Sequence, residues 1–274
     1  MDALGTIEIL VVHKTPVGRE VFEAGDDLEV VATARGGTEN VDKEAAADHD
    51  VMVLHAPGRN ANAVAYGLAA HRRIPHFTST TAAGEWTLEF DPRTLPHDVE
   101  ELTVGIVGFG NIGRKVAERY GGFGPDVLAY DPCVADETVR NHGAEPADFE
   151  GLVISSDIVT FHVRLSEETR HMIDAEVLGD MKDSALLVNT ARGNLVDEES
   201  LITSLRNNEI GGVALDVFEE EPLSDDHPLL KLEAALLSPH TAGSTRNAVL
   251  NGSRIVARDI VAILEDEEPS HRIV

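Results

Sequence analysis

The stretch from Leu102 to Pro132 constrains this chain more than any other, because it joins two apolar runs through three spaced glycines. It begins Leu-Thr-Val-Gly-Ile-Val-Gly-Phe-Gly-Asn-Ile-Gly and ends Ala-Tyr-Asp-Pro. Val104–Val107 reads as a strand that stops at Gly108, Gly110 and Gly113, a G-x-G-x-x-G spacing. Arg114–Tyr120 has helix-forming composition, and Val127–Tyr130 is a second apolar strand ending on Asp131. Gly108 permits the sharp exit from the strand, Gly110 lets backbone approach a pyrophosphate, and Gly113 allows the helix to pack on the strand. Phosphates then face the unpaired amides of a helix N-terminus. Asp131 stands 18 residues after Gly113, where an acid accepts both hydroxyls of a ribose. Glycine turns are common, and the spacing alone is weak evidence. Strand before, helix after and acid at that distance together predict a bound dinucleotide.

At 274 residues the chain has room for one large or two ordinary domains. No run approaches the ~18 apolar residues of a membrane span, and Met1–Leu4 does not open a signal peptide. Cys133 is the single cysteine, which excludes an internal disulfide and predicts a cytoplasmic protein. Although it adjoins the proposed ribose site, an ordinary free thiol is the simpler reading. The charge is the unusual quantity: 22 basic against 49 acidic residues give −27, with only five lysines. The acids are spread along the chain, as in Glu23–Asp27, Asp197–Glu199 and Glu265–Glu268. Such an excess repels itself unless salt screens it. The expectation is a salt-adapted protein that binds neither nucleic acid nor anionic membrane. No metal site is expected.

Ile7–Val12, Leu28–Ala34 and Val51–Leu54 are short Val-, Ile- and Leu-rich runs, separated by helical stretches at Val17–Ala24 and Asp42–Asp48. Continuously apolar strands alternating with helices predict a parallel sheet covered on both faces. Arg35-Gly36-Gly37 and Ala56-Pro57-Gly58-Arg59 follow the second and third strands, where open sheets bind ligands, though plain turns explain them equally well. Asn60–His71 reads as a helix and Glu89–Glu100 as a linker. Apolar strands resume at Ile158–Phe161, Ala185–Val188, Val213–Leu215 and Ala235–Leu237, each followed closely by a polar residue: His162, Asn189, Asp216 and His240. Polar side chains repeated at such ends belong in a crevice. Glu198–Leu205 and Asn247–Glu265 read as helices.

A dinucleotide of the nicotinamide type transfers hydride, so the protein supplies a proton acceptor and a group to hold an anionic or carbonyl substrate. Arg192, in Val-Asn-Thr-Ala-Arg-Gly, carries a fork suited to a carboxylate. Glu221 lies in Asp-Val-Phe-Glu-Glu-Glu-Pro and His240 in Leu-Ser-Pro-His-Thr-Ala-Gly. A histidine beside a carboxylate gains proton affinity and is held in one tautomer. Taken singly, these are a surface arginine, an acid in a solvated cluster and a strand-end histidine. Together, after the glycine fingerprint, they form one mechanism.

With these blocks in order, the chain resembles the D-isomer-specific 2-hydroxyacid dehydrogenase family, in its phosphoglycerate-dehydrogenase-like branch. The resemblance runs from Val30 to Val274 through Gly36–Asp42, Ala56–Asn60, Gly108–Pro132, His162–Thr169, Val188–Gly193, Ala214–Phe218 with Glu221-Pro222, and Ser238–Gly243. It implies an NAD-dependent oxidoreductase that interconverts a D-2-hydroxy acid, such as one like 3-phosphoglycerate, and its 2-keto acid. Arg192 then binds the substrate, His240 is the acid/base and Glu221 its partner, while Arg35, Gly36 and Gly37 hold the substrate carboxylate. For NAD it implies Gly108, Gly110, Asn111, Ile112 and Gly113 at the phosphates, and Asp131 and Pro132 at the ribose. His162, Thr169, Thr190, Ala191 and Arg192 complete the crevice with Asp216, His240 and Gly243, and Asp216 contacts the nicotinamide carboxamide. The implied architecture is α/β: a Rossmann-type doubly wound parallel sheet at 101–245, and a smaller flavodoxin-like substrate domain at 1–100 plus 246–274. A homodimer through the NAD domain is also implied.

Three departures stand out. Arg164 replaces a usual proline, and Tyr66 follows Ala63-Val64-Ala65 where relatives continue with glutamate in a longer segment. The strand at Ile7–Val12 also lacks the strand–helix unit that precedes it in relatives, so the substrate domain reads as N-terminally shortened. An upstream extension or a partner chain is expected to cover that edge. The rival reading is a non-catalytic NAD-binding relative acting as a redox-responsive interaction module.

Overall fold

A computed structural model describes residues 4–58, 61–86 and 95–274, and the chain divides into two compact units. Met1–Ala3, Arg59, Asn60 and the first part of the expected linker, through residue 94, lie outside the described residues.

The first unit comprises Met1–Asn60 with Gly243–Val274. Strand β1 (Ile9–Val12), helix α1 (Arg19–Ala24), strand β2 (Val30–Thr33), helix α2 (Lys43–Asp48) and strand β3 (Met52–Leu54) build a parallel sheet of order β1-β2-β3. Every residue of β2 is buried, as a strand covered on both faces must be. One face packs Val31 and Val53 against Phe22, Ala45 and Ala46 of α1 and α2. The other packs Val30, Ala32 and Leu54 against Val256 of the long C-terminal helix, Arg246–Leu264. Asp42, expected as the first helical residue, is instead the N-cap of α2 and accepts the Ala45 N–H at 2.9 Å. Beyond the last helix the chain returns to β3, where an antiparallel bridge joins Leu54 and Arg272.

The second unit spans Ala61–Ala242. It opens with α3 (Ala63–His71) and α4 (Ile74–Ala82), then β4 (Thr103–Val107), α5 (Asn111–Gly121), β5 (Asp126–Tyr130), α6 (Asp136–Asn141) and β6 (Glu145–Pro146). There follow α7 (Phe149–Ser155), β7 (Ile158–Phe161), α8 (Ala175–Asp180), β8 (Leu186–Asn189), α9 (Glu198–Asn207), β9 (Gly212–Leu215) and β10 (Ala235–Leu237). The seven strands are parallel in the order β10-β9-β8-β7-β4-β5-β6. This is the doubly wound arrangement, and its order reverses between β4 and β7, where such sheets open a crevice at their carboxyl ends. Successive strand residues alternate between two cores. Val104, Ile106, Ile158 and Val188 pack with α3 and α5, while Val107, Val159, Phe161 and Leu187 pack with α8 and α9.

Residues 61–86 group with this unit, whereas the sequence reading placed everything before residue 100 with the first. The reason is packing: Ala61, Ala63 and Val64 bury their side chains with Val104, Tyr120 and Val188. Helix α4 was not expected, since its Ile-Pro-His-Phe-Thr-Ser-Thr-Thr-Ala sequence is rich in turn formers and β-branched residues. In place, Thr78 and Thr80 return their hydroxyls to the carbonyls of Ile74 and His76, four residues back.

Candidate active site

The carboxyl ends of β4, β5, β7, β8, β9 and β10 carry nearly all of the expected cofactor and catalytic groups. At the end of β4, Gly108 adopts φ +92°, and a Cβ there would meet the His162 carbonyl at 2.8 Å. A side chain on Gly113 would run into the Gly108 carbonyl oxygen. Gly110, the N-cap of α5, differs: a Cβ there would meet nothing within 4 Å. Protein packing does not require that glycine, and the open space there fits close approach of a pyrophosphate to the amides of Asn111 and Ile112.

Asp131 leaves β5 with both carboxylate oxygens on backbone donors. Oδ2 accepts the Phe109 N–H at 2.7 Å and Oδ1 the Cys133 N–H at 2.9 Å. The acid is thereby fixed beside the glycine turn, and each oxygen keeps acceptor capacity for a ribose hydroxyl. Pro132 follows directly. These features fit the adenosine and pyrophosphate portions of NAD.

His162 follows β7, with Nε2 3.0 Å from Thr160 Oγ1. Burial pushes its imidazole down to about 3, so it is neutral in the folded chain. Thr169 turns into its own loop, donating to the Arg164 carbonyl at 2.7 Å and accepting the Ser166 N–H at 2.8 Å.

The loop after β8 is organised by Asn189, which is 1% exposed. Its amide accepts the Ala191 N–H at 3.0 Å and donates to the Arg192 carbonyl at 2.8 Å, shaping Thr190–Arg192. The Arg192 guanidinium donates to the Ala191 carbonyl at 2.6 Å. A Cβ on Gly193 would collide with the Phe218 backbone, so the Arg-Gly pair seats this loop on the turn that leads to Glu221.

His240 Nδ1 and Glu221 Oε2 lie 2.7 Å apart, both partly exposed. Glu221 Oε1 accepts the Phe218 N–H at 3.1 Å, which aims the carboxylate. His240 itself sits at φ +51°, a conformation uncommon outside glycine, and its N–H donates to the Asp216 carbonyl at 2.9 Å. With Nδ1–H directed at a carboxylate, Nε2 presents its lone pair. The glutamate's turn is braced by Glu198 and Glu219, each accepting the other's backbone N–H at 2.8 and 3.2 Å. Burial holds the Glu198 carboxyl above its ordinary range.

Asp216 is buried after β9 and accepts N–H bonds from Thr241 and Ala242, both at 2.7 Å. The hydroxyls of Ser238 and Tyr66 also reach Asp216, and none of these four partners was among the expected site residues. Tyr66 drew notice only as a departure from the family pattern.

The remaining expected residues belong to the first unit. In the loop after β2, Arg35 pairs with Glu39 at 3.7 Å, and its carbonyl accepts the Ala56 N–H at 2.8 Å. His55 Nδ1 lies 2.9 Å from the Gly36 carbonyl, so the turn that carries Gly36 and Gly37 is held from β3. Gly243 opens that unit's C-terminal segment.

Residues 64–242 match the family described as D-isomer specific 2-hydroxyacid dehydrogenase, NAD binding domain. The chain is 38% identical to D-3-phosphoglycerate dehydrogenase of Archaeoglobus fulgidus, over 92% of this chain and 48% of that protein. It is also 38% identical to glyoxylate reductase of Korarchaeum cryptofilum, over 94% of this chain and 80% of that protein. It thus spans about half the length of the first relative and four-fifths of the second. Among solved structures, D-lactate dehydrogenase from Aquifex aeolicus complexed with NAD and lactic acid superposes with a TM-score of 0.81 at 25% identity. That match covers 97% of this chain and 85% of the other.

Proposed function

This chain belongs to the D-isomer specific 2-hydroxyacid dehydrogenase family, and we propose that it interconverts a D-2-hydroxy acid and its 2-keto acid. Its cofactor is NAD, in keeping with the NAD-binding domain matched at residues 64–242 and with the residues at the glycine turn. NAD supplies the hydride acceptor, or the donor in reverse. The observation that carries the reading is the 2.7 Å His240–Glu221 pair beside the Arg192 loop. His240 takes the hydroxyl proton at Nε2, and Glu221 stabilises the imidazolium that results. The Arg192 fork holds the carboxylate and the oxygen that becomes a carbonyl. Asp216 accepts from the nicotinamide carboxamide, and Arg35–Gly37 hold the substrate carboxylate.

The same pair favours catalysis over a purely regulatory NAD-binding role, which has no need of an oriented imidazole. The test is to mix the protein, in molar KCl, with NAD and a panel of D- and L-2-hydroxy acids that includes 3-phosphoglycerate. Reduced nicotinamide should appear with D-isomers. Arg192→Ala and His240→Ala should each lower kcat/KM at least ~100-fold with little change in NAD affinity. Near-parental turnover in either variant overturns the assignment. A cytoplasmic location, supported by the single cysteine, and a homodimer through the NAD domain complete the proposal. Among the described residues no helix is long and apolar enough to cross a membrane.

A further inference from the structure

Tyr66 stands apart from the glycine turn and the catalytic pair, yet its hydroxyl ends on Asp216. It lies 3.1 Å from Asp216 Oδ1 and 3.0 Å from Ser238 Oγ. Ser238 Oγ is itself 2.5 Å from the same Oδ1, and the Thr241 N–H reaches that atom at 2.7 Å. The Thr241 hydroxyl also lies 3.5 Å from it, so more donors converge on Oδ1 than its two lone pairs can serve, and it has no capacity left for a ligand. Oδ2 accepts the Ala242 N–H and, among the described residues, keeps one lone pair. The ring of Tyr66 packs at the edge of the core around Val188 and Ala214, a task phenylalanine would perform equally. The hydroxyl is the informative atom. Burial raises its pKa, so it remains a donor across the range in which a histidine titrates.

We propose that Tyr66 is a positioning residue for the nicotinamide: bonded to both Oδ1 and Ser238, it locks the orientation of the Asp216 carboxylate and so presents Oδ2 as the acceptor for the carboxamide N–H. This rests on the reading of Asp216 given above. An acceptor already fixed in direction binds its donor with less ordering cost than one that must first turn. Position 66 acts here through Asp216 and touches no reacting atom.

The test is Tyr66→Phe, titrated with NADH and with ADP-ribose, which carries the adenosine and pyrophosphate but no nicotinamide. The dissociation constant for NADH should rise about fivefold, the scale of one net hydrogen bond. That for ADP-ribose should stay within about twofold, since Asp131 and the glycine turn are untouched. Unchanged or tighter NADH binding overturns the positioning role. So does equal weakening of both ligands, which would mean that the whole crevice has moved. A parent protein that binds NADH no better than ADP-ribose overturns the assignment of Asp216, and one that binds neither overturns the proposed function as well.

Discussion

Asp131 shows how much one side chain settles at the residue scale. Its oxygens are held by the amides of Phe109 and Cys133, so it cannot swing away from a group placed at the ribose. A 2′-phosphate would meet that fixed negative charge, and Pro132 and Cys133 offer no cation to answer it. Catalytic efficiency should therefore favour NAD over NADP, and Asp131→Ser should narrow the ratio. Equal parental efficiency with both cofactors contradicts the assignment. His162 carries a second prediction. The folded chain keeps it neutral down to about 3, whereas unfolded it takes a proton near 6.5. Between those values the unfolded state binds more protons, so this residue's contribution to stability is lost as pH falls through the window. His162→Asn removes that linkage, and the parent's advantage in Tm over the variant should shrink from about pH 7 to about pH 4. A constant difference argues that the imidazole titrates normally. The placing of Asp131, Arg192, Glu221 and His240 after the sheet's strands was legible because each lies in a local motif that follows an apolar run. Tyr66 was not, since its partner Asp216 lies 150 residues further along the chain and no local pattern joins them.

At the scale of elements, the packing of α3 on α5 turns on one small residue. Tyr120 is fully buried, and its hydroxyl has no hydrogen-bond partner among the described residues. A Cβ added at Gly67 would strike that hydroxyl while remaining 3.4 Å from the ring carbon that bears it. Gly67→Ala should thus destabilise the protein by ~1–2 kcal/mol, overpacking outweighing the gain of about 1 kcal/mol in helix propensity. Tyr120→Phe should be neutral or stabilising by ~1 kcal/mol, because an unsatisfied buried hydroxyl is removed. In the Tyr120→Phe background, Gly67→Ala should reverse sign and stabilise. Additive effects in a denaturant-melt cycle would show that the two residues do not meet. The parallel strands were readable because burial on both faces demands unbroken apolar runs, as in β2 and β7. Helix α4 was not, since the Ser, Thr and Pro residues that fill it favour turns and strands over helix interiors. The two-residue strand β6 is too short to leave a period. The sheet that α3 covers was equally illegible, because an apolar stripe does not name its partner.

Over the whole molecule, the dominant quantity is the net charge of −27. It is not gathered in one tail. Glu20, Glu23 and Glu44 lie on the helices of the first unit, and Asp136, Glu137 and Glu150 on those of the second. Ion pairs such as Arg19–Asp48 and the contacts of Arg140 with Asp136 and Glu145 are exposed, and exposed pairs add little to stability. With 22 basic residues against 49 acidic, most carboxylates have no cation to meet. Each unit folds against its own field, and unfolding relieves that repulsion. Added salt shortens the screening length from about 30 Å at 0.01 M to about 3 Å at 1 M, below the spacing of most surface charges. Tm should therefore rise steeply between dilute buffer and about 0.5 M KCl, then more gradually toward molar salt. Sucrose, which stabilises by exclusion from the surface without screening charge, should not reproduce the steep early rise. An unchanged or lower Tm in KCl, or an equal gain in sucrose, would remove self-repulsion as the force this surface is built to withstand.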